Sequence, residues 1–324
     1  MNVRKFSVVA VTLLALMAFA TAGAAANGQV DPVVTFDPAA AEFPESITTD
    51  KAGDLYVSMF VLDQIRRLSP TGAQTVVTQL PRGATPAGVK LDASGTLYVA
   101  ATGFDLTTGQ TNPASRGVYL VGRDGSAERM PGTDAISFPN DLAFDNRGNL
   151  YVTDPAGGAV WRIDRNGTVV RWVDDPLLHG TGELLGFPYG ANGIAFSHGR
   201  LIVSNTELGL LVAIPIEPTG EAGEPTVVAS SPLLLGIDGI ALDAHGDVYC
   251  AVNGQNMLVT VRGDGSIEVL AAAAEGLDQP SSVAFGTGAR DHQTLFVVNF
   301  AVASPVPTPG VLKLTVGVPG QPIP

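Results

Sequence analysis

Four oxygen-bearing side chains recur at one position of a repeated sequence pattern and could together hold a hard cation. Glu45, Asn140, Asn192 and Asp238 each occupy the second position of a copy of the pattern Pro-x-x-φ-Ala-φ-Asp-x-x-Gly, in which φ is apolar. Neither His nor Cys occurs at this position. Carboxylate and amide oxygens are the ligands that Ca²⁺ prefers, whereas zinc favours nitrogen and sulfur. The set therefore predicts a site for Ca²⁺ or another divalent cation.

The repeat itself predicts the architecture that would bring these side chains together. Its copies return roughly every 45 residues and begin at Pro44, Pro86, Pro139, Ala191, Ile237 and Pro280. A period of this length with turn residues at fixed offsets is typical of a β-propeller, in which each repeat forms one blade around a central channel. Six copies predict six blades. The second position lies at the start of the innermost strand, so these side chains should meet near one end of the channel.

Each copy contains signals for two hairpins. In the third copy, a turn at residues 145–148 separates two short apolar strands, and a second hairpin closes at Asn166-Gly167. Asp caps such turns through its side chain, Gly accepts a positive φ, and Asn-Gly is a strong hairpin signal. The sequence therefore predicts an all-β chain whose blades are four-stranded antiparallel sheets.

The sixth repeat contains only three strand signals before the chain runs out. An additional strand signal lies at residues 32–36, ahead of the first copy, and resembles the outer strand at residues 75–78 of the next blade. We expect this N-terminal strand to close the ring, because closure would remove two free sheet edges. Residues 27–324 would then form a single propeller domain.

Composition and the N-terminus indicate where the protein acts. Residues 1–26 carry Arg4 and Lys5, an apolar run and a small-residue end, which is typical of a secretory signal peptide. We expect a secreted or periplasmic monomer without a transmembrane anchor. The formal net charge of −13 argues against a nucleic-acid partner, and the single Cys250 excludes an intramolecular disulfide.

A cation held by four protein side chains would keep coordination positions for water and substrate. Ca²⁺ takes roughly 6 to 8 oxygen ligands, so the predicted site is open and can be catalytic. Asn and Asp at strand starts can also bond backbone groups without any metal, but Glu45 has no such turn-forming role. We expect Asp141 to face away from the channel, since side chains alternate along a strand, and to hydrogen-bond within its sheet.

The second-position residues and their neighbours resemble the metal-binding positions of the senescence-marker-protein, gluconolactonase and luciferin-regenerating-enzyme-like family. The resembling segments are Pro44-Glu45, Pro139-Asn140-Asp141, Ala191-Asn192-Gly193 and Ile237-Asp238-Gly239. The resemblance implies a six-bladed propeller that uses calcium or another divalent ion to hydrolyse lactones or related esters. It implies that Glu45, Asn192 and Asp238 ligate the ion, that Asn140 is a ligand or a substrate contact, and that Asp238 and Asn140 act in catalysis, Asp238 as the base.

Two departures from that family bear on the substrate. Ser46-Ile47 replaces the usual Gly-Pro after the glutamate, and Ser137 and Phe138 stand where the family has an arginine that contacts sugar lactones. The segments 103–116, 176–189 and 301–309, which we expect to frame the site, contribute apolar residues such as Phe104 and Phe187. A less polar, hydrophobic lactone or ester is therefore the expected substrate.

Two other interpretations remain open from the sequence. The repeat also resembles the NHL pattern, which is found in non-catalytic propellers that bind a protein or a glycan and need no Glu45. The strictosidine-synthase-like propellers share the architecture, but they rely on a catalytic glutamate that has no recognisable counterpart here.

Overall fold

The computed structural model describes residues 29–106 and 108–322. These residues form an all-β structure with six sheets, each of four antiparallel strands, and a small extra hairpin. The predicted signal segment, residues 1–26, lies outside the described residues. Within the described chain, no helix is long and apolar enough to cross a membrane.

The strands follow the repeat. The chain starts with β1 (Val30–Thr35), which belongs to the sixth blade. Blade 1 contains β2 (Pro44–Thr49), β3 (Leu55–Met59), β4 (Gln64–Leu68) and β5 (Gln74–Gln79). Blade 2 contains β6 (Pro86–Leu91), β7 (Leu97–Ala101), β10 (Gly117–Val121) and β11 (Ala127–Arg129), with the hairpin β8 (Phe104–Asp105) and β9 (Gln110–Thr111) inserted after β7.

The remaining blades have the same order. Blade 3 contains β12 (Leu142–Phe144), β13 (Leu150–Asp154), β14 (Ala159–Ile163) and β15 (Val169–Asp174). Blade 4 contains β16 (Ala191–Ser197), β17 (Arg200–Asn205), β18 (Leu210–Pro215) and β19 (Thr226–Ser230). Blade 5 contains β20 (Ile237–Leu242), β21 (Val248–Val252), β22 (Met257–Val261) and β23 (Ile267–Ala271). Blade 6 contains β24 (Pro280–Phe285), β25 (Thr294–Asn299) and β26 (Gly310–Thr315).

Short 3-10 turns connect several strands. They span Pro38–Ala40, Thr133–Ala135, Pro176–Leu178, Pro232–Leu234, Asn253–Gln255 and Ala273–Glu275. Two of them begin after an aspartate whose side chain accepts from a backbone N–H: Asp37 bonds Ala39, and Asp175 bonds Leu177. Such caps satisfy donors that would otherwise lack a partner at the start of the turn.

The predicted ring closure is confirmed. Strand β1 pairs antiparallel with β26, from Val30 opposite Leu314 to Thr35 opposite Gly310, and so completes the sixth blade. The innermost strands contact one another around the axis, and β24 of the last blade contacts β2 of the first. The N-terminal strand thus supplies the outer strand that the C-terminal repeat lacks.

The hydrophobic core lies between neighbouring sheets. In one of its clusters, Ala100 and Val118 of blade 2 pack with Leu142 and Val152 of blade 3, and all four are fully buried. Comparable clusters fill the other blade boundaries of the described chain. Since burying one such large apolar side chain contributes about 1.5 to 3 kcal/mol, these layers fix the position of each innermost strand.

At the positions of the predicted site residues, the innermost strands depart from regular antiparallel pairing with the second strand of their blade. The register of β2 with β3 shifts between Pro44 and Ile47, and β6, β16 and β20 show the same irregularity at the same phase. In blade 3, regular pairing with β13 begins only at Leu142. A bulge adds unpaired residues and re-aims their side chains, so both the second and third positions of the repeat can face the channel.

Candidate metal centre and active site

The four predicted ligand residues line one cavity on the propeller axis. Glu45 comes from β2, Asn140 from the segment before β12, Asn192 from β16 and Asp238 from β20. Glu45, Asn140 and Asn192 are buried, and Asp238 is partly exposed. The cavity holds about 190 Å³ of empty space, including its opening. The shared phase in the repeat therefore brings together residues that are far apart in the sequence.

Glycines at the third position let the innermost strands approach closely. A Cβ on Gly88 would lie 2.2 Å from the carbonyl oxygen of Asn140, and one on Gly193 would lie 2.4 Å from that of Asp238. Real Cβ atoms essentially never come this close to another heavy atom. The main chains of neighbouring blades are thus in direct contact here, which keeps the ring of oxygen ligands narrow.

Hydroxyl groups on the second strand of two blades fasten these main chains. Thr153 accepts a hydrogen bond from the N–H of Asp141 at 2.9 Å and donates one to the carbonyl of Asn192 in the next blade. Ser204 donates in the same way to the carbonyl of Asp238 at 2.8 Å. Each hydroxyl connects two blades, so the backbones under Asn192 and Asp238 are held from behind.

At the ring closure, between blades 6 and 1, a side chain at the second position of the repeat makes the connecting hydrogen bond. Ser281, the second-position residue of blade 6, donates from its hydroxyl to the carbonyl of Glu45 at 2.6 Å. The side chain of Ser281 is therefore used for structure. The remaining second-position residue, Ala87 of blade 2, has no polar side chain. Four of the six second positions remain as oxygen ligands.

The amide side chains of Asn140 and Asn192 contact each other directly. Nδ2 of Asn140 donates to Oδ1 of Asn192, and Nδ2 of Asn192 donates to the hydroxyl of Thr206 at 3.0 Å. A hydrogen bond with Asn192 also opposes the rise in the pKa of Asp238. Within residues 29–106 and 108–322, no hydrogen bond reaches the carboxylate of Glu45.

Burial and like charge act together on the two acidic residues. Burial raises the pKa of Glu45 well above its ordinary value of 4.5, and repulsion from Asp238 and Asp141 adds to the effect. Burial likewise raises the pKa of Asp238 well above 3.8, with repulsion from Asp141 as the second cause. No described residue lining the cavity is cationic. The charged forms of Glu45 and Asp238 therefore lack a positively charged partner among the described residues.

The donor set of this cavity fits a hard divalent cation. It consists of oxygen ligands, two carboxylates and two amides, which is the chemistry that Ca²⁺ favours. No group of three or more His, Cys, Asp or Glu side chains in the described chain is arranged to hold a metal. A cation here would consequently need the amide oxygens of Asn140 and Asn192 in addition to the two carboxylates.

Asp141 lines the same cavity, so the expectation that it faces away from the channel is wrong. Asp141 precedes β12, which begins at Leu142, and alternation of side chains holds only within a regular strand. Its predicted hydrogen-bonding role is confirmed: Oδ1 accepts from the N–H of Leu142 at 2.8 Å and Oδ2 from that of Ile194 at 3.0 Å. One signal could have revealed its position, since the other five repeats have Gly or Ser at the third position.

His179, in the segment between blades 3 and 4, does not line the cavity. Its Nε2 lies 2.7 Å from Oδ1 of Asp174, and both side chains are nearly half exposed. This pair lies on the surface of the segment between blades 3 and 4. The structure gives no support to a role for His179 at the carboxylates.

A series of aromatic rings lies beside the site. Phe104 contacts Phe138 at a ring-centroid distance of 5.7 Å, Phe138 contacts Tyr189 at 5.6 Å, and Tyr189 contacts Phe187 at 5.9 Å. We call these four residues the aromatic wall. Burial raises the pKa of Tyr189 well above 10, and the negative charges of Asp238 and Glu45 contribute. Tyr189 of the wall is therefore close enough to Asp238 and Glu45 for their negative charges to act on it.

The chain is similar in sequence to a known protein family and to individual named proteins. Residues 139–300 match the model of the SMP-30/Gluconolactonase/LRE-like region. A lactonase of Staphylococcus aureus is 24% identical over 233 residues, which cover 66% of this chain and 65% of that protein's length. The diisopropyl-fluorophosphatase of Loligo vulgaris is 28% identical over 263 residues, covering 73% of this chain and 76% of the relative.

Among solved structures, a calcium-binding protein of Agrobacterium tumefaciens named regucalcin superposes with a TM-score of 0.66. It is 19% identical in sequence, and the match covers 87% of this chain and 93% of that one. At this level of identity the likeness shows the propeller fold alone. The match over residues 139–300, which is half of the chain, shows the family: the chain belongs to the SMP-30/gluconolactonase/LRE-like family.

Proposed function

We propose that this protein is an exported hydrolase of lactones or related esters that depends on a divalent cation, Ca²⁺ in the first place. One observation carries the proposal. Glu45 and Asp238 converge on one cavity, yet no described Lys, Arg or His side chain lines it and no described residue donates a hydrogen bond to the Glu45 carboxylate. Buried charges are ordinarily paired or coordinate metals. A divalent cation would offset both carboxylates.

The relatives support the choice of reaction. One is named a lactonase and another a diisopropyl-fluorophosphatase, so both names describe hydrolysis at an electrophilic centre. A neighbour in fold is described as calcium-binding. The propeller of the present chain has an oxygen-lined cavity formed by four second-position residues of its repeat, whereas the other two copies have Ala87 and Ser281 at that position.

Each residue of the cavity would have its own role in such a reaction. A bound divalent cation would polarise the substrate carbonyl and stabilise the negative charge that develops on its oxygen. Glu45, Asn192 and Asp238 would hold that ion, and the amide of Asn140 would ligate it or orient the substrate. The Asp238 carboxylate accepts a proton from the attacking water as the new carbon–oxygen bond forms. That proton then passes to the leaving oxygen as the ester bond breaks.

The surroundings favour a substrate with apolar character. The aromatic wall borders the site, and neither Ser137 nor Phe138, the residues shortly before Asn140, carries a charge. There, the backbone N–H groups of Ser137 and Phe138 both donate to the carboxylate of Asp154 at 3.0 Å, and the Ser137 hydroxyl is also bonded to it. These groups are already occupied, so recognition would fall to the aromatic rings.

Export is the second part of the proposal and rests on residues 1–26 alone. In cells that express the full chain, mature protein should begin near residue 27 and accumulate outside the cytoplasm. N-terminal sequencing of protein from the medium or periplasm tests this directly. Intact Met1 on protein that remains in the cytoplasm would contradict it.

The Glu45→Gln variant tests the catalytic proposal. It keeps the size of the side chain and removes one negative charge, so we expect hydrolysis of a panel of aryl esters and lactones to fall at least about 100-fold. Glu128→Gln is the matched control, because Glu128 is exposed on β11. Normal hydrolysis by Glu45→Gln, together with normal metal content, would refute the proposal.

A further inference from the structure

A second cavity opens at the other end of the central channel. The same inner strands run past it three or four residues further along, where Ala143, Ala195, Ala241 and Ala284 face the axis. Since a strand rises about 3.3 Å per residue, roughly 10 Å separates this lower cavity from the carboxylates. The lower cavity holds about 750 Å³ of empty space, including its mouth. None of the described carboxylate-site residues lines it.

Lys90 gives the lower cavity a positively charged side chain. It stands on β6 at the repeat position where four other blades have alanine and blade 1 has Thr48. No described residue that lines the cavity is acidic. In the described chain, Lys90 forms no hydrogen bond or ion pair, although it attracts Asp141 at longer range. Lys90 is partly exposed, and its ammonium group carries three donors that are available to a bound anion.

The floor of the lower cavity is built by the C-terminal segment. The N–H of Gln321 donates to the carbonyl of Leu242 at 2.9 Å, and that of Gly320 donates to the carbonyl of His292 at 3.1 Å. The segment is thereby fastened to blades 5 and 6. Gln321 lines the cavity, and its Oε1 is buried without a hydrogen-bond partner among the described residues. The same cavity thus brings together a residue with an unused acceptor and Lys90, whose ammonium group has no hydrogen-bond partner in the described chain.

Apart from Thr48, Thr49 and Thr287, the remaining walls of the lower cavity are largely apolar. Besides the alanines, Phe144, Phe196 and Phe285 line the cavity. An apolar body between these rings would gain the usual benefit of burial, about 25 cal/mol per Å² of apolar surface. One cation, one acceptor and an aromatic lining together describe a ligand with a negative charge, a hydroxyl group and an apolar middle.

We propose that the lower cavity binds a small hydroxycarboxylate with an apolar body. Its carboxylate pairs with Nζ of Lys90, its apolar part packs against Phe144, Phe196 and Phe285, and its hydroxyl donates to Oε1 of Gln321. This site is separate from the carboxylate cavity and does not depend on the proposed hydrolase activity. It would make the propeller a two-ended binding protein, with a cation site at one end and an organic-anion site at the other.

Calorimetric titration with mandelate tests this site. The protein is stripped of metal with a chelator and then dialysed, so that mandelate cannot bind through a cation at Glu45 and Asp238. We expect mandelate to bind with a Kd of about 1 mM or tighter, and Lys90→Met to weaken it at least about tenfold, because a charge-assisted bond is lost. Lys90→Arg should bind within about threefold of the unchanged protein, since the positive charge remains.

Controls separate this site from general charge effects. Lys51→Met removes an exposed lysine in the turn between β2 and β3 and should leave mandelate binding unchanged. Mandelamide, which lacks the charge, should bind more weakly than mandelate, and phenylacetate, which lacks the hydroxyl, should fall between them. Equal mandelate binding by the unchanged protein and Lys90→Met would overturn the proposal. Absence of millimolar binding to the unchanged protein would overturn it as well.

Discussion

The side-chain amide of Asn140 donates a hydrogen bond to the amide oxygen of Asn192, across the boundary between blades 3 and 4. The two residues are 52 positions apart and stand at the same phase of consecutive repeats. Thr153 lies behind both of them: its carbonyl accepts from the N–H of Asn140 at 3.0 Å, and its hydroxyl donates to the carbonyl of Asn192. The geometry of the amide pair therefore depends on a residue outside the cavity.

Thr153→Val should destabilise the protein and loosen the site. The variant keeps the shape of the side chain but leaves the N–H of Asp141 and the carbonyl of Asn192 without their shared partner, which typically costs about 1 to 3 kcal/mol. We expect the free energy of unfolding in urea to fall by that amount, and Ca²⁺ affinity to fall with it.

Thr260→Val is the control for this experiment. Thr260 is also buried, but its hydroxyl has no hydrogen-bond partner in the described chain. Its replacement by valine should therefore be neutral or stabilising, since no bond is lost. Equal losses of stability for the two variants would show that the Thr153 bridge contributes nothing specific.

Gly193→Ala should disturb the site through the backbone. The added Cβ would lie 2.4 Å from the carbonyl oxygen of Asp238, so β16 and β20 must move apart. Overpacking of this kind costs about 1 to 3 kcal/mol, and the displaced Asp238 should bind a cation more weakly. Urea unfolding and calcium titration measure the two effects. Gly263→Ala, where no atom lies within 4 Å of the new Cβ, should leave both unchanged.

The predicted parts of the fold and the site share one origin. The repeat sets strand order, blade number and the pairing of β1 with β26, because each of these follows from local turn and strand signals. It also brings Glu45, Asn140, Asn192 and Asp238 to one cavity, because residues at equal phase are related by the pseudo-symmetry of the ring. These features need no knowledge of long-range contacts.

The features that were not predicted depend on departures from regular structure. Asp141 lies just before the point where regular pairing of β12 begins, and alternation along the sequence does not show where that point is. Segment 176–189 was expected to frame the site, but its path could not be predicted because a distant residue holds it. The buried carboxylate of Glu207 accepts from the N–H of Gly182 at 2.7 Å and from that of Leu184 at 3.3 Å. Contacts of this kind become visible only in three dimensions.

The metal-free protein should lose stability as pH rises. Burial holds the pKa of Glu45 and Asp238 above their ordinary values of 4.5 and 3.8. At a pH between the ordinary and the raised pKa, the folded protein therefore binds protons that the unfolded chain has released. The free energy of unfolding then falls with increasing pH across that window. Added Ca²⁺ should reverse the loss most strongly at the high-pH end, because it competes with protons for the same carboxylates.

Thermal unfolding from pH 4.5 to 8, with and without Ca²⁺, measures this effect. Glu45→Gln should flatten the metal-free profile, since one of the two groups no longer titrates. A metal-free Tm that rises steadily over this range would contradict the raised pKa values. A similar response to Ca²⁺ at both ends of the range would contradict the competition with protons.

Removal of residues 27–37 should cost far more stability than its length suggests. The deletion takes away β1 and the buried Phe36, leaving β26 as an open edge. Loss of several kcal/mol should lower Tm by at least about 10 °C. A shorter deletion of residues 27–29, which ends before β1, is the control and should leave Tm unchanged. Equal Tm values for the two truncations would mean that β1 does not close the ring in solution.

Calcium binding by the stripped protein tests the central claim most directly. Calorimetric titration of Ca²⁺ into chelator-treated, dialysed protein should show a site that binds about one ion per chain, with an affinity of about 1 mM or tighter. Glu45→Gln and Asp238→Asn should abolish that site, and Glu128→Gln should retain it. Absence of Ca²⁺ binding by the unchanged protein would contradict the account and favour a propeller that binds a protein or a glycan without metal. Undiminished binding by Glu45→Gln would contradict the assignment of the ion to this cavity.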